Sequence, residues 1–551
     1  MRIIAPPDRR EESRGGQITK RGSRMYDTII VGAGSAGCVA AYRLSADEKR
    51  RVLVLEAGHD APVASDVPSD WVTLFNTRSD WGYYTEPQAG CRGRRIFWPR
   101  GRMVGGSGAL NAMIYIRGLP SDYDAWKKAG CAGWGWNDVR PEFLASENNA
   151  RFRDGEYHGM NGPLHVGDVP HVDPHERMWI EAAGAAGYPF NDDYNGKTQE
   201  GVGLFQFTIR NGERWDTGKA YLRPALERPN LTLKKGVLVT GLTIENGRVT
   251  GVKYLVDGVR ETAHASSEVV MAAGAIGTCQ IMMLSGIGPA RELEEAGVRP
   301  VHDLPGVGKD LQDHLNIPIT FYTKQPMGIG AWTDGILEDS FAEWRDRRTG
   351  IRTSPWVAAS GHVCSRDGIE PDLQLYGAIT PHRDYARFLG GRSGITAHCV
   401  LQRPKSRGEI RLRSADPTEY PAIDPKYFAS DESGVDLTTM IAGVRINRHI
   451  LAQSPIRELI DYELSPSAEC RTDAEIGDYV RGHMTTLYHP SSTCRMGTDV
   501  MAVTDPATMK IHGLEGIRVI DASAIPIMVS GNLNAPTIMV AERGCRKILS
   551  A

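Results

Sequence analysis

The chain predicts an α/β protein, α+β taken as a whole, in which a Rossmann-like dinucleotide-binding domain is interrupted by an inserted second domain. Three observations predict it. An apolar run, Thr28-Ile29-Ile30-Val31, enters the turn Gly32-Ala33-Gly34-Ser35-Ala36-Gly37 and then a helix-like stretch. A second apolar run, Val52-Leu53-Val54-Leu55, ends on Glu56. Strand-and-glycine-turn patterns return late in the chain, after a stretch of different character.

The opening unit reads strand, glycine turn, helix, strand, acid, which is the βαβ arrangement that holds a dinucleotide. Gly32 allows the tight turn, Gly34 lets the backbone approach a pyrophosphate, and Gly37 lets the helix pack close to the strand. The helix N-terminus presents free N–H groups to the phosphates. Glu56 stands where a carboxylate accepts hydrogen bonds from a ribose diol.

Residues 101–118, GRMVGGSGALNAMIYIRG, are glycine-rich and then apolar. Residues 231–254 alternate Val, Leu and Ile around Asn246-Gly247 and read as β-strands joined by a turn. Residues 268–288 give another short strand, glycine turn and helix, hence a second helix N-terminus able to face a cofactor. From about residue 325 to 468 the character changes: Trp332, Trp344 and Trp356 appear with many Arg–Asp pairs and a Pro-punctuated run at 403–408. That stretch has no dinucleotide motif and is assigned to substrate. Residues 517–523 return to a strand ending in an acid, Asp521, and residues 534–546 read as a closing helix. The expected division is a disordered extension over 1–24, mainly dinucleotide-binding structure over 25–315, mainly substrate-binding structure over 316–480, and a return to the first domain over 481–551.

Composition narrows the class. The 551 residues carry a net charge of −3, with 41% hydrophobic and 24% charged residues, ordinary for a globular enzyme. Such a charge makes no electrostatic case for nucleic acid or an anionic membrane. The nine cysteines form no CxxC pair, so neither a metal site nor a disulfide framework is indicated and a reducing compartment fits. No run approaches a transmembrane segment, and Arg9-Arg10 lacks the apolar region of an export signal, so the expected location is cytoplasmic.

Five ordered blocks resemble the glucose–methanol–choline family of FAD-dependent oxidoreductases. They are the GAGSAG turn, Gly101 to Ala112, Gly274 to Gly288, VGKDLQDH from Val307 to His314, and Tyr488-His489-Pro490-Ser491-Ser492-Thr493-Cys494-Arg495-Met496-Gly497. Within the family the chain is similar to bacterial alcohol, choline and sorbose dehydrogenases and hydroxymethylfurfural-type oxidases. The resemblance implies an FAD-binding domain with an inserted substrate domain built on an antiparallel sheet. Leu110 stands where covalently flavinylated members carry His, so the resemblance implies non-covalent FAD. The second block has Cys279 after Thr278 where Pro is usual, which loosens a helix start. Choline-specific members carry a Glu in the segment matching residues 356–363; here it reads WVAASGHV, with no acid.

The implied reaction is oxidation of a primary alcohol to its aldehyde, with hydride passing to flavin N5. His489 matches the catalytic base: a neutral imidazole can take the hydroxyl proton. Asn534 matches the second active-site position and would hold the substrate oxygen; as a bare residue it also reads as a helix cap. His362 could line the pocket or simply pack, and His512 reads as a turn residue. Gly32, Gly34, Ser35, Ala36, Gly37, Glu56 and Val237 would hold the ADP half of FAD. Met103, Ser107, Asn111, Ala112 and Met113 would run along the pyrophosphate and ring, and Asp521, Ala522, Asn532 and Thr537 would close over it. The electron acceptor is oxygen or a quinone-type carrier, and a homodimer stays open. Alternatives are an FAD-containing hydroxynitrile lyase, a choline dehydrogenase, or a flavin-binding protein without activity.

Overall fold

The computed structural model describes residues 25–328, 334–383, 387–388 and 392–550. The expected extension over 1–24 and Trp332 lie outside the described residues.

The first sheet is built where the β-branched runs are. Met25–Val31 pairs in parallel with Val52–Leu55 on one side and with Val259–Met271 on the other. Leu231–Lys234 extends the sheet beyond Val52–Leu55. Val237–Glu245, Arg248–Val256 and Val259–Met271 then form an antiparallel meander. Its first turn is Asn246-Gly247 at φ 50° and 76°, the left-handed pair a tight hairpin demands. Ile517–Val519 pairs in parallel with Val269–Met271, so a strand from the end of the chain completes a sheet begun at its start.

The Ser35–Leu44 helix lies against this sheet because Gly37 has no side chain: a Cβ there would stand 1.8 Å from the Gly32 carbonyl oxygen. The C-terminal helix, Asn534–Leu549, packs beside it, with Glu542 clamping Arg43 at 2.7 and 2.9 Å. The Gly274–Leu284 helix runs unbroken through Thr278-Cys279.

The second sheet is antiparallel throughout. Its order is Ile460–Ser465, Leu315–Thr323, Gly394–Leu401, Leu373–Ala378, Ala359–Val363 and Gly201–Leu204, with Thr485–Thr486 paired to Leu315 and Asn316. Four of these strands come from the 316–480 stretch, one enters it from 315, and Gly201–Leu204 comes from the earlier segment. The Val435–Leu451 helix backs the sheet at Gly443, where a Cβ would collide with Cys399 Sγ at 1.9 Å. The opposite face, carrying Asn316, Pro318, Tyr376, Ala378 and His398, turns to the large cavity. None of the nine cysteines forms a disulfide. Among the described residues no helix is long and apolar enough to cross a membrane, and no side-chain group could hold a metal ion.

Candidate active site

A cavity of 590 Å³ runs from the first glycine turn to the face of the second sheet. Its near end is made by Gly32, Gly34, Ser35, Ala36 and Glu56, its middle by Ser107, Asn111, Ala112 and Met113, and its far end by Tyr376, His489 and Asn532. Two glycine turns meet at the near end: a Cβ on Gly106 would stand 2.7 Å from the Gly34 Cα. That close approach leaves backbone rather than side chains along the groove, as an elongated dinucleotide requires. Val237, Ala522 and Thr537 also line the cavity. Gly37 and Met103 do not. Gly37 lies beneath the turn, and the Met103 side chain is buried with Leu74, Ala109 and Leu110.

Two acids in the cavity wall are already engaged by protein. Glu56 accepts from Ala33 N–H at 2.8 Å and Gly58 N–H at 2.7 Å, bracing the glycine turn while its carboxylate still lines the cavity. Burial pushes its carboxyl pKa up against those bonds. Asp521 is saturated: one oxygen accepts from Gly274 N–H (2.8 Å) and Thr278 O–H (2.6 Å), the other from Ser523 N–H (2.9 Å) and O–H (2.5 Å). It therefore ties the C-terminal strand to the N-terminus of the Gly274–Leu284 helix. Asn111 Oδ1 accepts from Met113 N–H (2.9 Å) and Arg214 (2.8 Å), which fixes its amide at the cavity wall.

His489 is held from both sides. Its backbone N–H donates to Asp313 Oδ1 at 2.8 Å, and Tyr488 before it takes a left-handed φ of 67°, the kind of backbone strain found where a side chain must be aimed. Its ring Nδ1 lies 2.8 Å from Nδ1 of His314. Nε2 of His314 is 3.1 Å from two carbonyl oxygens, of Gln402 and Val529. Carbonyls only accept, so His314 carries its proton on Nε2. Burial pushes the His314 pKa down to about 4, so the ring is neutral and its Nδ1 is a bare acceptor. The proton between the rings therefore belongs to His489 Nδ1. Burial, then His314 and Arg100, keep His489 neutral as well. Its Nε2 is left as an unprotonated lone pair.

The second polar group at the far end is Asn532. Its Oδ1 accepts from Gln374 Nε2 at 3.0 Å, and its Nδ2 approaches the Tyr376 hydroxyl at 3.3 Å. The Tyr376 hydroxyl donates to Gln374 Oε1 at 2.8 Å, closing a ring of three side chains. That ring fixes the Asn532 amide with its oxygen occupied and one N–H to spare. Asn534 lines the same cavity; it opens the C-terminal helix and donates to Ser35 Oγ at 2.9 Å, on the dinucleotide turn.

Other expectations resolve by packing. His362 is fully buried among Tyr194 and Phe205, outside the cavity, with its pKa pushed down to about 3 by burial. His512 sits at a turn, its Nε2 3.0 Å from the Gly497 carbonyl. Trp344 is core, its indole N–H donating to the Gly212 carbonyl at 2.8 Å, whereas Trp356 lines the cavity with Trp71 and Phe75. Sequence reasoning assigned no role to His314, Gln374 or Tyr376. His314 ends the VGKDLQDH block, which was a usable signal; the other two are alternate residues of an ordinary strand and gave none.

Family models of GMC oxidoreductases match residues 26–316 and 404–541. An alcohol dehydrogenase (acceptor) of Pseudomonas putida is 40% identical over 533 residues, 95% of this chain and 96% of that protein. The mitochondrial choline dehydrogenase of Homo sapiens is 39% identical over 531 residues, 94% and 89% of the two chains. Among solved structures, pyridoxine 4-oxidase from Mesorbium loti superposes with a TM-score of 0.87 at 30% identity, covering 96% of this chain and 99% of its own.

Proposed function

The chain belongs to the GMC oxidoreductase family, and from that premise we propose that it oxidises a neutral primary alcohol to its aldehyde with His489 as the base. It is an FAD-dependent oxidoreductase of CH–OH donors. When bound, FAD supplies the two-electron acceptor for the hydride. The observation that carries the assignment is a bare imidazole Nε2 on His489 lining the same cavity as the spare N–H of Asn532. The imidazole accepts the hydroxyl proton, and the amide donates to the same oxygen as negative charge grows on it. His314 holds the base in its accepting tautomer, and Gln374 holds the amide in its donating orientation.

Leu110 in the cavity wall has no nucleophilic nitrogen, which supports non-covalent FAD. In this reading 25–315 and 481–551 mainly hold the cofactor and 316–480 mainly the substrate. The protein acts in the cytoplasm, and oxygen or a quinone-type carrier takes the electrons.

Choline is the second reading, favoured by relatives with that name and by aromatic walls that can hold a quaternary ammonium. Against it, the only carboxylates lining the cavity among the described residues are Glu56 and Asp521, both among the backbone turns that cradle the cofactor. The test is anaerobic mixing of the yellow holoenzyme with choline and with benzylic, furanic and short aliphatic alcohols. Bleaching by a neutral primary alcohol at a kcat/KM at least tenfold above choline is the expected result. Choline ahead by tenfold reverses the substrate assignment, and turnover of a hydroxynitrile without bleaching replaces oxidation by lyase chemistry.

A further inference from the structure

Beyond the His489–Asn532 pair the cavity wall holds a second polar cluster that this chemistry does not use. Thr380 and His382 follow the Leu373–Ala378 strand, are 6% and 7% exposed, and both line the cavity. Their backbone is pinned by neighbouring strands. Thr396 Oγ1 donates to the Thr380 carbonyl (2.8 Å) and accepts from His382 N–H (3.0 Å), and Thr320 Oγ1 donates to the His382 carbonyl (2.9 Å). Their side chains are not satisfied: Thr380 Oγ1 and His382 Nδ1 are buried atoms with no hydrogen-bond partner. Leaving such an atom unpaired costs its full desolvation, so two in one wall of one cavity mark a place where something else completes the bonds.

The chemistry of that place follows from its neighbours. His398 Nδ1 lies 3.1 Å from Asn316 Oδ1, an acceptor, so this nitrogen carries the proton. His398 Nε2, 2.8 Å from His382 Nε2, is then the acceptor and His382 Nε2 the donor, which leaves His382 Nδ1 a lone pair. Burial holds the His382 pKa down to about 4, against an opposing pull from the Thr380 carbonyl, and burial followed by His382 holds His398 well below the usual imidazole value. Both rings are therefore neutral. A lone pair beside a threonine hydroxyl suits a group that both donates and accepts, which is a hydroxyl. Among the described residues an ammonium finds no anion here and a carboxylate no cation.

We propose that Thr380 Oγ1 and His382 Nδ1 form a distal subsite that hydrogen-bonds a second, neutral hydroxyl of the substrate, so that the substrate class is a primary alcohol bearing a further hydroxyl. The inference rests on the alcohol-oxidation reading above and narrows it.

Two measurements test it on the holoenzyme. The first compares kcat/KM for α,ω-diols with that for mono-alcohols of equal carbon number. At least one diol should exceed its partner about tenfold, the discrimination expected of a site built around a hydroxyl. The second uses a ditertiary diol and the matching tertiary mono-alcohol, which carry no hydrogen to transfer, with dissociation constants read from the flavin absorbance shift. The diol should bind about tenfold tighter, and both ratios should fall to near one in Thr380→Val and again in His382→Phe. Taking ratios on a single protein removes differences in folding and flavin content. Diol ratios near one in the wild type, or ratios that survive both substitutions, overturn the subsite. A tertiary diol that binds tighter in an enzyme that no alcohol bleaches leaves the subsite standing and overturns the oxidation reading instead.

Discussion

His314 Nδ1 and His489 Nδ1 stand 2.8 Å apart, and the two carbonyls behind His314 decide which ring supplies the proton between them. His489→Ala should therefore slow anaerobic flavin reduction by roughly 10²–10⁴-fold with FAD content retained. His314→Leu should slow it by roughly 10–10²-fold, because His489 is then free to protonate on Nε2 instead. The double variant should be no slower than His489→Ala, since residues acting as one unit are not additive. Additive losses in stopped-flow traces would separate the two rings into independent roles.

Asn532 and Asn534 should fail differently. Asn532→Ala removes a donor to the substrate oxygen, about 1–3 kcal/mol, and should lower kcat/KM with flavin still bound. Asn534→Ala removes the bond to Ser35 on the dinucleotide turn and should show as weaker FAD retention, with activity restored by added FAD. Flavin content and kcat/KM measured on both variants decide the matter; an Asn534→Ala enzyme with full flavin and poor turnover would return the substrate role to Asn534.

Glu56→Ala should release FAD for two reasons at once. The ribose loses a charged acceptor worth about 1.5–3 kcal/mol per bond, and the glycine turn loses the brace at Ala33 and Gly58. Protein purified from this variant should be partly colourless. Full loading at low FAD concentration would remove Glu56 from the cofactor site.

The glycine turn, the acid after it and the late return of the chain to the first sheet were all legible in the sequence, because each rests on a local requirement: a β-branched run, a residue without Cβ, a strand-end carboxylate. The substrate side was less so. Asn532 and Asn534 sit two apart beside a helix start, and nothing local separates them; their partners, Gln374 and Ser35, are distant in sequence. Met103 and Trp344 have the apolar character of lining residues but are claimed by the core, a choice made by packing rather than residue type. His314 shows the opposite case, since its block was visible but its task appears only once His489 is seen beside it.

His362 gives a pH prediction free of catalysis. Its folded pKa is held down to about 3 by burial, against about 6.5 in an unfolded chain. Above pH ~6.5 neither state binds the proton, and below it only the unfolded state does, so stability falls as pH falls, by about 1.4 kcal/mol per pH unit. His362→Phe removes that penalty. The Tm difference, variant minus wild type, should be more positive at about pH 5 than at about pH 7.5, by the equivalent of roughly 2 kcal/mol. An equal difference at both pH values would mean that His362 is charged when folded.

Asp521 carries one more consequence. During translation the residues of the first glycine turn leave the ribosome long before Ile517–Val519, the saturated carboxylate beside it and both polar groups at the far end of the cavity. Until that strand slots in beside Val269–Met271, the Gly274–Leu284 helix has no anchor at its N-terminus and the cradle has no roof. Such long-range closure is slow relative to local helix and hairpin formation. Flavin capture therefore waits for that strand, and a chain stalled or clipped before Asp521 would emerge colourless however well its first βαβ unit had formed.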